Sequence, residues 1–280
     1  GGNLTAEYTE IRNIKDRSRS AAAVNISGKA GFSHCVLDGR TSAYRLLMVE
    51  RNGDVRLEGC TLLASGEYAV MSYGNTELVD STITGGSYGV SVNQGGDVSF
   101  AMSGCTVTGT ATYGLYVSTL GTGTFSVTGN TFTGCGSYPV YMNLGSMTGG
   151  QMEEIRGNTY SGHTGADMPY LNGILRREVV LPVGTYVTGN LYIYDGGLLT
   201  VPGGSVLLRE SGKDFSVSNG GHLILSGKER EPVVLTSYGD AEHADGLTVR
   251  KDSTWNGVTV SEGGNLTAEY TEIRNIKDRS

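Results

Sequence analysis

Thr9, Cys35, Cys60, Ser81, Cys105, Asn130 and Asn158 follow one another at intervals of 26, 25, 21, 24, 25 and 28 residues, and the same apolar frame surrounds each of them. Three positions earlier stand Ala6, Phe32, Leu57, Leu78, Met102, Val127 and Ile155; two positions later stand Ile11, Leu37, Leu62, Ile83, Val107, Phe132 and Tyr160. A second column lies upstream, at Val24, Leu46, Val70, Val90, Leu115 and Val140, with Ile26, Met48, Ser72, Val92, Val117 and Met142 two residues further on. Apolar residues two apart are the mark of strands with one buried face. Gly-rich joints such as Asn52-Gly53 and Gln94-Gly95-Gly96 separate the columns. Each repeat therefore reads as strand, turn, strand, bend, strand.

A unit of about 25 residues cannot bury its own apolar face, but a stack of such units can. Each strand then pairs in parallel with its equivalent one coil away, about 4.8 Å along the axis, and the columns become continuous ladders. The pattern predicts an all-β solenoid of about ten coils, close to 50 Å long for 262 residues. Thr, Val and the 44 glycines disfavour helix. In this scheme Cys35, Cys60 and Cys105 are small core residues beside a bend. Cys60 and Cys105 are two coils apart, about 9.6 Å, beyond disulfide reach. Asn130 and Asn158 are expected inside the same bend, bonded to backbone.

A second recurrence has a longer period. Gly1–Ser18, GGNLTAEYTEIRNIKDRS, is repeated without mismatch at Gly263–Ser280, 262 residues later. A cut through a tandem array of near-identical modules explains this, as does an engineered overlap. Residues 177–262 have a different texture, with denser strand-like stretches at Gly184–Ile193, Gly197–Gly203, Ser205–Leu208, Gly221–Gly227 and Glu231–Tyr238. Leu199-Thr-Val-Pro-Gly203, Gly221-His-Leu-Ile-Leu-Ser-Gly227, Pro232-Val-Val-Leu-Thr-Ser237, Trp255-Asn-Gly-Val258 and Glu7-Tyr-Thr-Glu-Ile-Arg-Asn13 carry a family resemblance. In that order they resemble the opening coils of right-handed parallel β-helix domains of bacterial secreted and cell-surface proteins, adhesin-like and of the pectate-lyase-like fold. The resemblance implies a right-handed β-helix. It also implies that residues 1–176 are the C-terminal coils of one module and 177–280 the N-terminal coils of the next, in one continuous solenoid.

Net charge is −7 with no long basic run, which leaves nucleic acid without an electrostatic footprint and gives anionic lipid no attraction. No apolar run approaches the roughly 20 residues that span a bilayer. The opening residues do not read as a signal peptide and lack an initiator Met, so export and anchoring signals are expected outside this segment.

The β-helix resemblance brings polysaccharide lyases and hydrolases into consideration, but fold does not fix function. Arg12-Asn-Ile-Lys15 is a faint echo of a polygalacturonase element, without its companions. His34, His163, His222 and His243 stand in dissimilar contexts, and Glu153-Glu154 would point to opposite faces of a strand. No catalytic residue and no cofactor is expected. Asp240, Glu242 and Asp245 share an irregular loop and are the weak candidates for calcium, although their spacing does not match the twelve-residue calcium loop. Tyr44, Tyr68, Tyr88, Tyr113 and Tyr138 each precede the first apolar column by two residues. They predict an aromatic ladder, either a corner stack that keeps water from the core or a platform for sugar rings. Thr106-Val-Thr108 and Thr131-Phe-Thr133 suggest an ice-binding array, but the motif does not recur at every coil. The Lys15–Ser20 stretch reads as a solvated loop.

These readings converge on a structural or adhesive module of an extracellular or cell-surface rod. Its expected partners are identical modules or subunits end to end, and surface glycans. A carbohydrate-binding or polysaccharide-degrading β-helix is the alternative.

Overall fold

The structure is a computed structural model and describes residues 2–14, 22–41, 44–244 and 254–277. It is an all-β parallel solenoid of about nine turns. The count falls below ten because coil length is uneven: Leu198 lies opposite His222, 24 residues on, but His222 lies opposite Asn265, 43 residues on. The chain forms two compact units, residues 1–141 with 154–167, and residues 142–153 with 168–280.

In the first unit three ladders of parallel strands run side by side. One comprises Asn3–Glu7, Lys29–Ser33, Asp54–Glu58, Asn75–Val79, Phe100–Ser103 and Phe125–Thr128. The second runs from Glu10–Arg12 through Val36–Asp38, Thr61–Ala64, Thr82–Gly85, Thr106–Thr108 and Thr131–Thr133 to Thr159–Ser161. The third starts at Val24–Ile26 and includes Arg45–Val49, Tyr68–Ser72, Tyr88–Asn93 and Tyr113–Thr119. Register matches the sequence columns: Phe32 opposes Leu57, and Leu78 opposes Met102, which opposes Val127. Leu57, Leu78 and Val127 are fully buried, as are Leu37, Leu62, Ile83, Val107 and Phe132.

The first two ladders are joined by a tight bend. Its leading residue is left-handed in six coils, at Tyr8, His34, Gly59, Asp80, Gly104 and Gly129, with φ between 45° and 65°. Glycine takes this conformation without penalty; Tyr, His and Asp pay roughly 1–2 kcal/mol. The residue that follows is the small or polar slot. Its amide turns out of the strand ladder and must find an acceptor inside the core. The slot side chain of the next coil supplies it. Cys35 N–H meets Cys60 Sγ at 3.4 Å, Cys60 N–H donates to Ser81 Oγ at 3.0 Å, and Cys105 N–H donates to Asn130 Oδ1 at 2.9 Å. Asn130 N–H donates to Asn158 Oδ1 at 2.8 Å. The asparagines add a second bond: Asn130 Nδ2 donates to the Met102 carbonyl, and Asn158 Nδ2 to that of Val127, each at 2.9 Å.

In the second unit Glu178–Val180, Leu198–Pro202, His222–Ser226 and Asn265–Glu269 form one ladder. The nine-residue strand Thr185–Ile193 serves two neighbours, Val206–Arg209 along its first half and Phe215–Val217 along its second. Arg209 is wholly buried there, donating to Thr188 Oγ1 at 2.9 Å and to the Asp214 carbonyl at 2.8 Å. Its guanidinium lies over the rings of Phe215 and Trp255, a placement suited to a weakly hydrated planar cation.

The helix Gly149–Arg156 was not expected from sequence. Its start carries a reciprocal cap: Gln151 N–H donates to Thr148 Oγ1 at 3.3 Å, and Thr148 N–H to Gln151 Oε1 at 2.8 Å. Thr148-x-x-Gln151 is thus a capping box that a residue-by-residue search would have found.

Asn130 satisfies two backbone groups and one side chain in a site without water access. Asn130→Ala is expected to lower unfolding free energy by about 2–3 kcal/mol, because a buried amide and a buried carbonyl lose their partners. Urea denaturation checks this; a loss below about 0.5 kcal/mol would mean that the bend does not depend on its slot.

Candidate functional site

Half-buried tyrosines form the largest cluster of side chains with binding potential. Tyr68, Tyr88, Tyr113 and Tyr138 succeed one another up the third ladder, with ring centroids 5.1, 6.0 and 6.4 Å apart. Tyr116 and Tyr141 make a second column beside them, 4.5 Å apart. Tyr116 also approaches Tyr88 at 5.3 Å and Tyr113 at 5.7 Å, and Tyr141 meets Tyr113 edge-on at 5.5 Å. The sequence reading did not include Tyr116 and Tyr141.

Local parity explains the two columns. The residue after each ladder tyrosine, at Ala69, Gly89, Gly114 and Pro139, is buried, and so is the next one. A Cβ at Gly89 would come within 2.7 Å of Val107, and at Gly114 within 2.6 Å of Phe132. Two consecutive inward positions shift the strand alternation by one, so residues such as Tyr113 and Tyr116 both reach the outer surface.

The same shift corrects the place of Tyr44. Leu46 and Leu47 are both fully buried, and Leu47, not Leu46, lies opposite Val70. Arg45 therefore holds the position opposite Tyr68, and Tyr44 stands one residue off the ladder. The Arg45 guanidinium lies 5.9 Å from the Tyr44 ring and 5.8 Å from the Tyr68 ring. Tyr68 and Tyr88, and likewise Tyr113 and Tyr138, are near parallel, at 14° and 16°. Their faces are turned to one another along the stack, and ring edges and phenol oxygens form the outer rim. Burial raises the Tyr68 and Tyr88 phenols above their ordinary range.

Threonines line the outer face of the second ladder more regularly than expected. Thr61, Thr82, Thr106, Thr131 and Thr159 align in register, as do Thr84, Thr108, Thr133 and Ser161. The expectation that the Thr-x-Thr motif is not sustained is corrected over four coils. Unequal coil lengths hid the alignment. β-branched hydroxyl residues are common on the outer face of a sheet and pair well across strands.

The acidic loop of the second unit is occupied by an arginine. Asp240 Oδ2 accepts from the Thr236 hydroxyl at 2.6 Å, and Oδ1 from the Glu242 amide at 3.1 Å. Arg274 binds Glu242 at 2.5 Å and His243 Nε2 at 2.9 Å, and its Nε lies 4.0 Å from Asp240. Burial pushes the Asp240 carboxyl up, but the Thr236 and Glu242 bonds and Arg274 outweigh it and hold it below its usual value. The bond from Arg274 lowers Glu242 likewise. Asp245 lies outside the described residues, as does the Lys15–Ser20 loop. Among the described residues no three His, Cys, Asp or Glu side chains converge as metal ligands.

The remaining chemistry-bearing residues are dispersed. His34 stacks on Tyr8 at 5.1 Å, His222 bonds Thr267 at 3.0 Å, and Glu154 accepts from the Val127 amide at 3.2 Å. Cys35, Cys60, Cys105 and Cys135 are buried free thiols, and burial pushes Cys105 up to about 11. His163 repeats the work of the asparagines. Cys135 N–H donates to its Nδ1 at 3.0 Å, and its Nε2 lies 3.1 Å from the Phe132 carbonyl. Both bonds hold only if the ring is neutral with the proton on Nε2. A groove of about 670 Å³ in the second unit is lined by Val179, Val180, Leu181 and Pro182. Arg177 at its side is committed to the Gly145 and Met147 carbonyls, at 3.2 and 2.5 Å.

A family model described as a right handed beta helix region matches residues 1–146. The chain belongs to the right-handed β-helix family. That family holds both enzymes and non-enzymes. No curated protein and no solved structure matches the chain. Among the described residues no helix is long and apolar enough to cross a membrane.

Burial lowers the His163 imidazole below its ordinary 6.5. The unfolded chain gains a proton near that pH and the folded chain does not. The stability contributed by this ring is therefore complete above pH 6.5 and declines as pH falls below it. Asparagine offers one acceptor and one donor without titrating. The urea midpoint of the wild type is expected to drop more than that of His163→Asn between about pH 6.5 and 5; parallel pH profiles would show that the ring is not held neutral.

Proposed function

We propose that this β-helix is a structural module of an extracellular or cell-surface rod, a stalk that holds other parts of an assembly apart. One observation supports this above the others. The side chains with chemical potential, Asn130, Asn158, His163, Cys60, Asp240 and Arg274, are engaged in bonds that tie one coil to its neighbour or close a bend. The 262-residue period adds a reason for repetition: residues 1–176 and 177–280 read as the end of one module and the beginning of the next.

A carbohydrate-binding reading has one observation in its favour, the rim of phenol oxygens and ring edges along Tyr88, Tyr113, Tyr116 and Tyr141. Because the ring faces are turned to one another, a glycan would meet this rim through hydrogen bonds rather than by stacking. A polysaccharide-degrading role would need an acid–base pair, and the glutamates and histidines of the described residues stand apart.

Two measurements separate these readings. Tandem modules joined with the 262-residue period are expected to appear by electron microscopy as straight rods that lengthen by about 50 Å per module; separate beads on a flexible thread would refute the rod. A glycan array probed with wild type and with Tyr116→Ala/Tyr141→Ala is expected to show no glycan whose binding depends on these rings. Specific binding lost in the variant would favour the carbohydrate reading, and turnover of uronate polymers would favour the enzyme.

A further inference from the structure

The repeated segment is seen twice with the same backbone and with different neighbours. Asn3–Glu7 and Asn265–Glu269 are equivalent strands. Tyr8 and Tyr270 are both left-handed, at φ 48° and 42°, as are Asn13 and Asn275, at 56° and 55°. The Thr9 and Thr271 hydroxyls each donate to the carbonyl two residues before, at 3.0 Å. Identical conformation beside different partners means that this coil is shaped by its own sequence and fits a neighbour on either side.

The first copy bonds the coil that follows it, with Leu4 opposite Ala30 and Ala6 opposite Phe32. The second bonds the coil that precedes it, with Leu266 opposite Leu223 and Ala268 opposite Leu225. In a strand, alternate residues turn their amide and carbonyl to opposite sides. Tyr8 N–H donates to the Ser33 carbonyl and Lys29 N–H to that of Gly2, so even-numbered residues of the first copy face the following coil. Asn3, Thr5 and Glu7 face the open side. In the second copy Asn265 N–H donates to Gly221, and Gly227 N–H to the Glu269 carbonyl, so odd-numbered residues face the preceding coil. Leu266 and Ala268 face the open side. Each copy leaves unpaired the half that the other uses. Large apolar groups mark both open edges: Leu4 is 47% exposed and Tyr8 78% on one, Leu266 38% and Tyr270 61% on the other.

We propose that a second copy of this chain docks head to tail on these edges, the first copy of the repeat in one molecule stacking in parallel register on the second copy in the next. This rests on the rod reading and names its joint. Thr5 N–H would donate to the Leu266 carbonyl and Ala268 N–H to that of Thr5, which continues the alternation on both sides. Leu4 would cover Leu266 and Tyr8 would cover Tyr270. The two faces differ, so the contact is heterologous and open-ended, and it grows filaments rather than closing a ring.

Ala268→Pro and Thr5→Pro each remove an amide that faces the open side and leave the internal ladder bonds in place. Sedimentation velocity of the full chain is expected to show mass rising with concentration. Each proline variant alone is expected to stay monomeric, with a thermal midpoint within a few degrees of wild type. A mixture of the two is expected to stop at dimers, because the intact first-copy edge of Ala268→Pro meets the intact second-copy edge of Thr5→Pro. If a variant does not fold, excess peptide of sequence 1–18 replaces it and is expected to cap the edges and halt growth of the wild type. A wild type that stays monomeric at high concentration, or variants that associate as the wild type does, would overturn the proposal. Should separate chains stay monomeric while covalent tandems remain straight rods, docking between molecules falls and the rod reading stands; beaded tandems would sink the rod reading itself.

Discussion

Every coil of this protein depends on its neighbours for its hydrogen bonds and for its core. Strands of three to nine residues, one coil deep, have no partner within their own turn. Parallel pairing between coils satisfies the strand amides and at the same moment brings like side chains together into columns. The left-handed bends break that scheme once per turn, because a slot amide there points into the core. Side chains of the next coil repair the break. Cysteine, serine, asparagine and histidine all appear in this role because each places an acceptor at the same point, and asparagine and histidine also place a donor.

This constraint explains why functional chemistry is hard to find. A polar residue inside a narrow solenoid is retained only if it pays for its desolvation with bonds, and the bends offer those bonds. Asn130, Asn158 and His163 look like candidates for catalysis in the sequence and act as backbone substitutes in the fold. Arg274 closes on the acidic loop in the same manner. The tyrosine columns are a consequence of parity as much as of selection for aromatic residues: two inward residues in succession turn a single ladder into a double one.

Much of the fold was legible because a β-helix converts sequence period directly into spatial neighbourhood. The slot and its flanking columns predicted Phe32 over Leu57 and Met102 over Val127. The reading failed where counting along the chain and counting along the axis diverge. At Leu46 and Leu47 two buried residues in a row displaced Tyr44 from its ladder by one position. Coils of 21 to 28 residues concealed the aligned threonines. The helix Gly149–Arg156 was hidden because a single capping box is a short signal inside a strand-rich sequence.

The sequence by itself determined the coil: its period, its bend, its inward columns and the identity of its repeated segment, since all of these are local patterns that any neighbour would enforce. Only the tertiary structure decided which outward side chains meet, because that depends on register between coils of unequal length. It alone showed that Tyr116 and Tyr141 join the tyrosine ladder, that Arg274 fills the acidic loop, and that the two copies of one segment leave opposite edges open. Register is a relation between strands distant in the chain, and no single stretch of residues carries it.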